Sequence, residues 1–166
     1  TMIKVADFNG DGVLDIFFND SGTQLWDGSG AASYVGQNDH YYLSQADGTW
    51  LESTSTHVTG PASFGGATGV RKGRGLKNFT HSMSVGDIDN DGDIDVVVTT
   101  LQSVGNNGQL LCYVNQGDGH MIVRRCVDQH AWRAELGDID NDGDLDIVIG
   151  GNSLASKKEW ADVDGM

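Results

Sequence analysis

Three stretches of the chain set aspartates at alternate positions around a glycine, the spacing that an oxygen-lined cation site requires. With the first Asp as position one, the pattern is D-x-[DN]-x-D-G-x-x-D. It supplies Asp7, Asn9, Asp11 and Asp15, then Asp87, Asp89, Asp91 and Asp95, then Asp138, Asp140, Asp142 and Asp146. A loop that curls around an ion turns alternate side chains inward, and Gly12, Gly92 or Gly143 at position six permits the sharp bend. The main-chain carbonyl at position seven, from Val13, Asp93 or Asp144, is a further expected ligand, with the Asp93 and Asp144 side chains directed outward. Hard oxygen donors without Cys or His favour Ca²⁺ over Zn²⁺ or copper. Mg²⁺ suits such a loop less well, because it demands a strict octahedron and keeps its waters. About three calcium ions are expected, one per loop. The first loop, with Asn9 and Val13 in place of acids, should bind most weakly.

An acidic β-turn accounts for a single such match, since Asp, Asn and Gly are turn formers in any case. Three copies in register, with matching flanks, favour the metal reading. An EF-hand requires Glu at position twelve and helices on both sides, whereas position twelve here is Phe18, Val98 or Ile149. A dockerin-type loop leads into an amphipathic helix, and these loops run into β-branched residues instead.

The elements that hold the loops follow from the flanks. Ile3 to Phe18, Met83 to Val98 and Ala134 to Ile149 align without gaps. Before each loop Ile3 and Val5, Met83 and Val85, or Ala134 and Leu136 alternate with other residues at the period of a strand. After it come Ile16-Phe17-Phe18, Val96-Val97-Val98 and Ile147-Val148-Ile149, runs that suit strands buried on both faces. A second repeat lies between the loops, where His40 to Leu51 resembles Leu111 to Ile122 as strand, Q-x-D-G turn and strand. One full unit therefore contains two hairpins, and the chain reads as all-β in four-stranded antiparallel units. The repeats span 1–166 as one segment, with units starting near residues 3, 83 and 134 and long loops at 19–39 and 53–80. The second loop carries Arg71, Lys72, Arg74 and Lys77, which either bind an acidic partner or are simply solvated.

Charge agrees with this organisation. The formal net charge is −14, and of 24 Asp and Glu thirteen lie in the three loops, leaving 11 against 10 Lys and Arg elsewhere. Nucleic acid is thereby not an expected partner. Clustered carboxylates repel one another, and a compact fold holds them through a cation or good solvation. No apolar run approaches bilayer length, and no signal-peptide pattern opens the chain, so membrane insertion is not expected and a soluble, mature or excised chain is.

GDIDNDGDIDVVV and GDIDNDGDLDIVIGG resemble the FG-GAP and VCBS repeats of integrin-α-type β-propellers, and the Q-x-D-G hairpins resemble the N-x-G-D-G-T-F turn of those repeats. The resemblance implies propeller blades of four antiparallel strands and a mainly structural role for calcium. It also implies a face or rim that binds partners. Two to three blades cannot close a ring of at least four. The chain is then a fragment, a ring completed by oligomerisation or an open array, and the ends favour the fragment. Thr1 falls within a strand feeding a loop, and 161–165 resembles the start of another loop.

Other residues leave alternatives open. Cys112 and Cys126 flank the Gln116–Gly119 turn, and a disulfide or two buried thiols both suit them, although a simple hairpin does not set them directly opposite. Trp26, Trp50, Trp132 and Trp160 either stack on sugars or pack between blades, Trp132 being assigned to the core by its alternation with Ala134 and Leu136. His40, His57, His81, His120 and His130 show no metal-ligand spacing, no catalytic motif occurs, and the chain is not expected to be an enzyme. Sequons at Asn19 and Asn78 permit glycosylation. The expected function is a calcium-stabilised adhesion or ligand-binding module outside the cell, secreted or on its surface, with a protein or glycan ligand. The rivals are a structural subunit that self-associates through blade edges and an accessory or lectin-like domain of an extracellular enzyme.

Overall fold

The computed structural model describes residues 2–26, 28, 32–64, 67–68, 70–71, 75–101, 109–127, 131–150 and 159–161. Lys72, Arg74, His130 and 162–165 lie outside the described residues, as do the side chains of Trp26, Arg71, Lys77, Asn78 and Trp160.

The described chain is nearly all β. The first unit begins with β1 (Met2–Ala6) and β2 (Asp15–Asn19), followed by β3 (Thr23–Trp26), β4 (Ala32–Val35) and β5 (Gln37–Asn38), then β6 (His40–Ser44) and β7 (Trp50–Glu52). A single helical turn, α1 (Thr54–His57), leads to β8 (Val58–Thr59), β9 (Ser63–Phe64), β10 (Ala67–Thr68) and β11 (Val70–Arg71). The second unit is β12 (Gly75–Gly86), β13 (Asp95–Leu101), β14 (Gln109–Asn115) and β15 (Met121–Arg125). The third is β16 (Arg133–Gly137), β17 (Asp146–Gly150) and β18 (Glu159–Ala161).

Each unit forms its own antiparallel sheet in sequence order: β1-β2-β6-β7, then β12-β13-β14-β15 and β16-β17-β18. The three loop-bearing hairpins share one register, in which the last strand pair before the loop is Ala6 with Asp15, Gly86 with Asp95, or Gly137 with Asp146. Position nine of every loop is thus the first residue of the returning strand. The stretches expected to be loops contain strands of their own. Thr23–Trp26 and Ala32–Val35 pair as a hairpin, β5 extends the second sheet beside β12, and β8 joins its far edge parallel to β15. Unit one therefore lends a strand to each side of unit two.

Two cores separate the units. Phe17, Tyr41 and Leu43 of the first sheet meet Val96, Val98, Leu111, Tyr113, Met121 and Val123 of the second in one cluster. Val97, Leu110, Cys112 and Val114 meet Ala134, Ile147 and Ile149 of the third in the other. Fully burying side chains of this size contributes roughly 1.5–3 kcal/mol each. Phe17 adds an edge-on contact with Tyr113 at 5.0 Å between ring centres. The second sheet is covered on both faces, so β14 is buried at all seven positions. The expectation of doubly buried strands fails for β17 at Val148, which is half-buried, and for β2, whose burial alternates: Phe17 is enclosed while Ile16 and Phe18 are half-buried. Its other face has no sheet over it among the described residues.

Trp132 is not core. It is 38% exposed, with its ring edge-on to His81, because it precedes β16 and the strand alternation starts after it, while Ala131 takes the buried place. Cys112 and Cys126 form a disulfide with 5.3 Å between their Cα atoms. Cys112 pairs with Arg124, and the Cys126 N–H donates to the Leu110 carbonyl, so the bridge runs diagonally across the hairpin. Asn19 is buried and its amide donates to Asp39, which leaves it unable to accept a glycan.

Candidate metal centres

Each acidic loop is built around the carboxylate at position one. Asp7 Oδ1 accepts the N–H of Asp11 at 3.1 Å and its Oδ2 that of Gly12 at 2.8 Å. Asp87 does the same with Asp91 and Gly92, and Asp138 with Asp142 and Gly143. The chain curls this tightly because it enters the left-handed region twice. Position four is Gly10 (φ 71°), Asn90 (58°) or Asn141 (64°), and Asn is the side chain that tolerates this best. Position six is always glycine, with φ of 84°, 95° and 104°.

Position five caps the next turn: one oxygen of Asp11, Asp91 or Asp142 accepts the N–H of position seven, which is Val13, Asp93 or Asp144. Position nine is buried. Asp95 Oδ2 accepts the Ile88 N–H at 2.9 Å and Oδ1 the Asn115 N–H at 2.7 Å. Asp15 repeats this with Phe8 and Ser44, and Asp146 Oδ2 holds Ile139. Asp15 and Asp95 therefore also pin the loop to the unit's inner hairpin, a role the spacing did not reveal.

In the second and third loops the carboxylates at positions one, three and nine converge. One oxygen from each of Asp87, Asp89 and Asp95 lies within 4.8 Å of the others, and Asp138, Asp140 and Asp146 are arranged alike. Position five is not in these trios. In the first loop Asn9 replaces the position-three acid, and its amide donates to Asp11 at 3.0 Å. Asp93 and Asp144 do not simply face outward. Asp93 lies against Gly117, where a Cβ would meet its Oδ2 at 2.8 Å, and Asp144 accepts the amide of Asn90 from the neighbouring loop.

The electrostatics match a site designed for positive charge. Burial pushes Asp95 up to about 7, with Asp89 and Asp91 adding to the rise. Burial and then repulsion from Asp91 raise Asp89, partly offset by Arg124, and Asp140 is raised by desolvation and then by Asp142. Asp89 Oδ1 is buried without a hydrogen-bond partner, an open acceptor facing acidic neighbours. These observations fit a hard cation. One residue that sequence reasoning missed is Arg124, whose guanidinium sits 3.6 Å from Asp89 Oδ2. Its counterpart in unit one is Ser53, so the spacing carried no signal for it.

The chain is thus an all-β repeat protein whose units each present one acidic loop. Residues 87–149, from the start of the second loop to the strand after the third, match the FG-GAP-like repeat. No curated protein matches the chain. Among the described residues no helix is long and apolar enough to cross a membrane.

Proposed function

We propose that this protein is a calcium-stabilised, non-catalytic β-propeller-type module that binds a protein or glycan ligand outside the cell. The observation that carries the reading is the repeated convergence of carboxylates at positions one, three and nine. Asp87, Asp89, Asp91 and Asp95 would hold one ion with the Asp93 carbonyl. Asp138, Asp140, Asp142 and Asp146 with the Asp144 carbonyl would hold a second, and Asp7, Asn9, Asp11 and Asp15 with the Val13 carbonyl a weaker third. Bound calcium neutralises the mutual repulsion of these carboxylates and cross-links each loop. The Cys112–Cys126 bridge supports an oxidising compartment, and extracellular calcium is concentrated enough to fill even weak loops.

Thermal unfolding with calcium, magnesium or excess chelator tests the proposal, with sedimentation on the same samples. Calcium at about a hundred times its dissociation constant should stabilise the chain by roughly 2.7 kcal/mol per site, with magnesium doing much less. Equal melting in calcium and chelator would remove the metal from the account. A second reading, a structural subunit that assembles through blade edges, draws support from exposed Ile3, Val5 and Trp50 on the first unit. Discrete calcium-dependent oligomers would favour it over a monomeric binding module.

A further inference from the structure

The first two acidic loops are joined by a continuous run of buried hydrogen bonds. Asp15, at position nine of the first loop, accepts the N–H of Phe8 at 2.9 Å. The carbonyl of that same Phe8 accepts Nδ2 of Asn115 at 2.7 Å, and the Asn115 N–H donates to Asp95, position nine of the second loop, at 2.7 Å. Asn115 is 1% exposed, and its amide is held further by the Ile94 carbonyl at 3.1 Å and the Gly117 N–H at 3.2 Å. Phe8 and Asn115 belong to different units, so this side chain spans the interface between them.

We propose that Asn115 is a positioning residue that couples calcium binding at the first loop to calcium binding at the second. The inference rests on the metal reading above and adds to it a dependence between sites. Each ion engages a position-nine carboxylate, and each of those carboxylates orients one end of the same amide bridge. Once an ion in one loop has ordered Asn115 and the Phe8 peptide, the second ion does not have to order them again, which gives positive coupling. Unit one offers an internal comparison. Ser44 occupies the equivalent place, its N–H likewise donates to Asp15, and its hydroxyl is buried without a partner. Serine there keeps the main-chain bond and lacks the reach across to a neighbouring loop.

The test is a calcium titration of the ¹⁵N-labelled full chain, following the amide signals of Gly12, Gly92 and Gly143 as separate reporters of the three loops. Disabling the second loop with Asp87→Asn and Asp91→Asn should raise the calcium midpoint at Gly12 about fivefold or more, the lower range of measured couplings. In an Asn115→Ser background the same disabling should move it less than about twofold, with the Gly143 midpoint unchanged by Asn115→Ser. A merely structural role for Asn115 would shift all three midpoints together and leave the dependence intact, which would overturn the proposal. So would a Gly12 midpoint indifferent to the second loop in the parent chain. A folded chain in which none of the three signals responds to calcium would instead defeat the metal reading itself. If Asn115→Ser does not fold, the Asn115 side-chain amide signals of the parent chain decide: they should shift as either loop fills, and stationary signals would refute the coupling.

Discussion

Asp39 lies outside every acidic loop and is the buried acid with the clearest consequence for stability. It is 1% exposed, accepts the amide of Asn19 and the hydroxyl of Tyr113, and burial pushes it up to about 7 from 3.8. Burial outweighs the two hydrogen bonds because an ionised carboxylate loses its water on all sides. Between these values the folded chain holds a proton that the unfolded chain has released, so stability falls as pH rises from about 4 to about 7. The full effect is on the order of 4 kcal/mol. Asp39→Asn removes the titration, and its amide can donate to the Asn19 carbonyl oxygen, which has no partner. Urea unfolding in chelator should find the variant and parent alike near pH 4 and the variant more stable by a few kcal/mol at pH 8. A constant difference across that range would mean that burial does not raise the Asp39 carboxyl above its unfolded value. Nothing in the sequence marks Asp39, which follows Asn38 in a polar stretch. Its burial is a consequence of Tyr113 arriving from the next unit.

At the scale of elements, the bridge between Cys112 and Cys126 staples β14 to the end of β15, with 14 residues of separation. Closing a loop of that size in the unfolded chain is worth about 3 kcal/mol on the loop-entropy model. Replacing both cysteines with serine, or reducing the protein, should lower stability by roughly 2–3 kcal/mol and lower the melting temperature accordingly. A change within a few tenths of a kcal/mol would mean that strand pairing already restricts that loop. The three acidic hairpins were legible in the sequence because their chemistry is local: glycine at position six, strand-forming flanks and a fixed count between them. The diagonal bridge was not, since it depends on a residue beyond the last strand pair. The strands within 19–39 and 53–80 were also hidden. Their short sequences read as turns and become strands only through their partners, β5 and β8 at the edges of the second sheet and β3 with β4 in a hairpin of their own. Asn115 could have been noticed from the repeat, as a polar residue closing an otherwise apolar strand where unit one has Ser44, but its reach to Phe8 is a property of the packed units.

The repeat itself says what surface the whole molecule leaves uncovered. Met83, Val85, Ile94 and Met121 pack the second unit onto the first, the two methionines 4% and 0% exposed. Their counterparts in unit one are Ile3, Val5, Leu14 and Trp50, which are 56%, 52%, 58% and 53% exposed. The same face is present at both places, and among the described residues only the second has a sheet on it. Leu145 repeats the arrangement in the third unit, where it fills the space that a side chain at Gly86 would need. Contiguous apolar surface of this kind drives association, and a β unit of the same build is the shape that fits it. Ile3→Lys with Val5→Lys should therefore leave thermal unfolding within about 1 kcal/mol of the parent, since exposed positions bury little on folding. The pair should also reduce both self-association in sedimentation and the binding of a hydrophobic dye. Loss of the fold in this variant would mean that the face already contributes to the core of the single chain. Unchanged sedimentation and dye binding would mean that Ile3 and Val5 are not a surface at which the molecule associates.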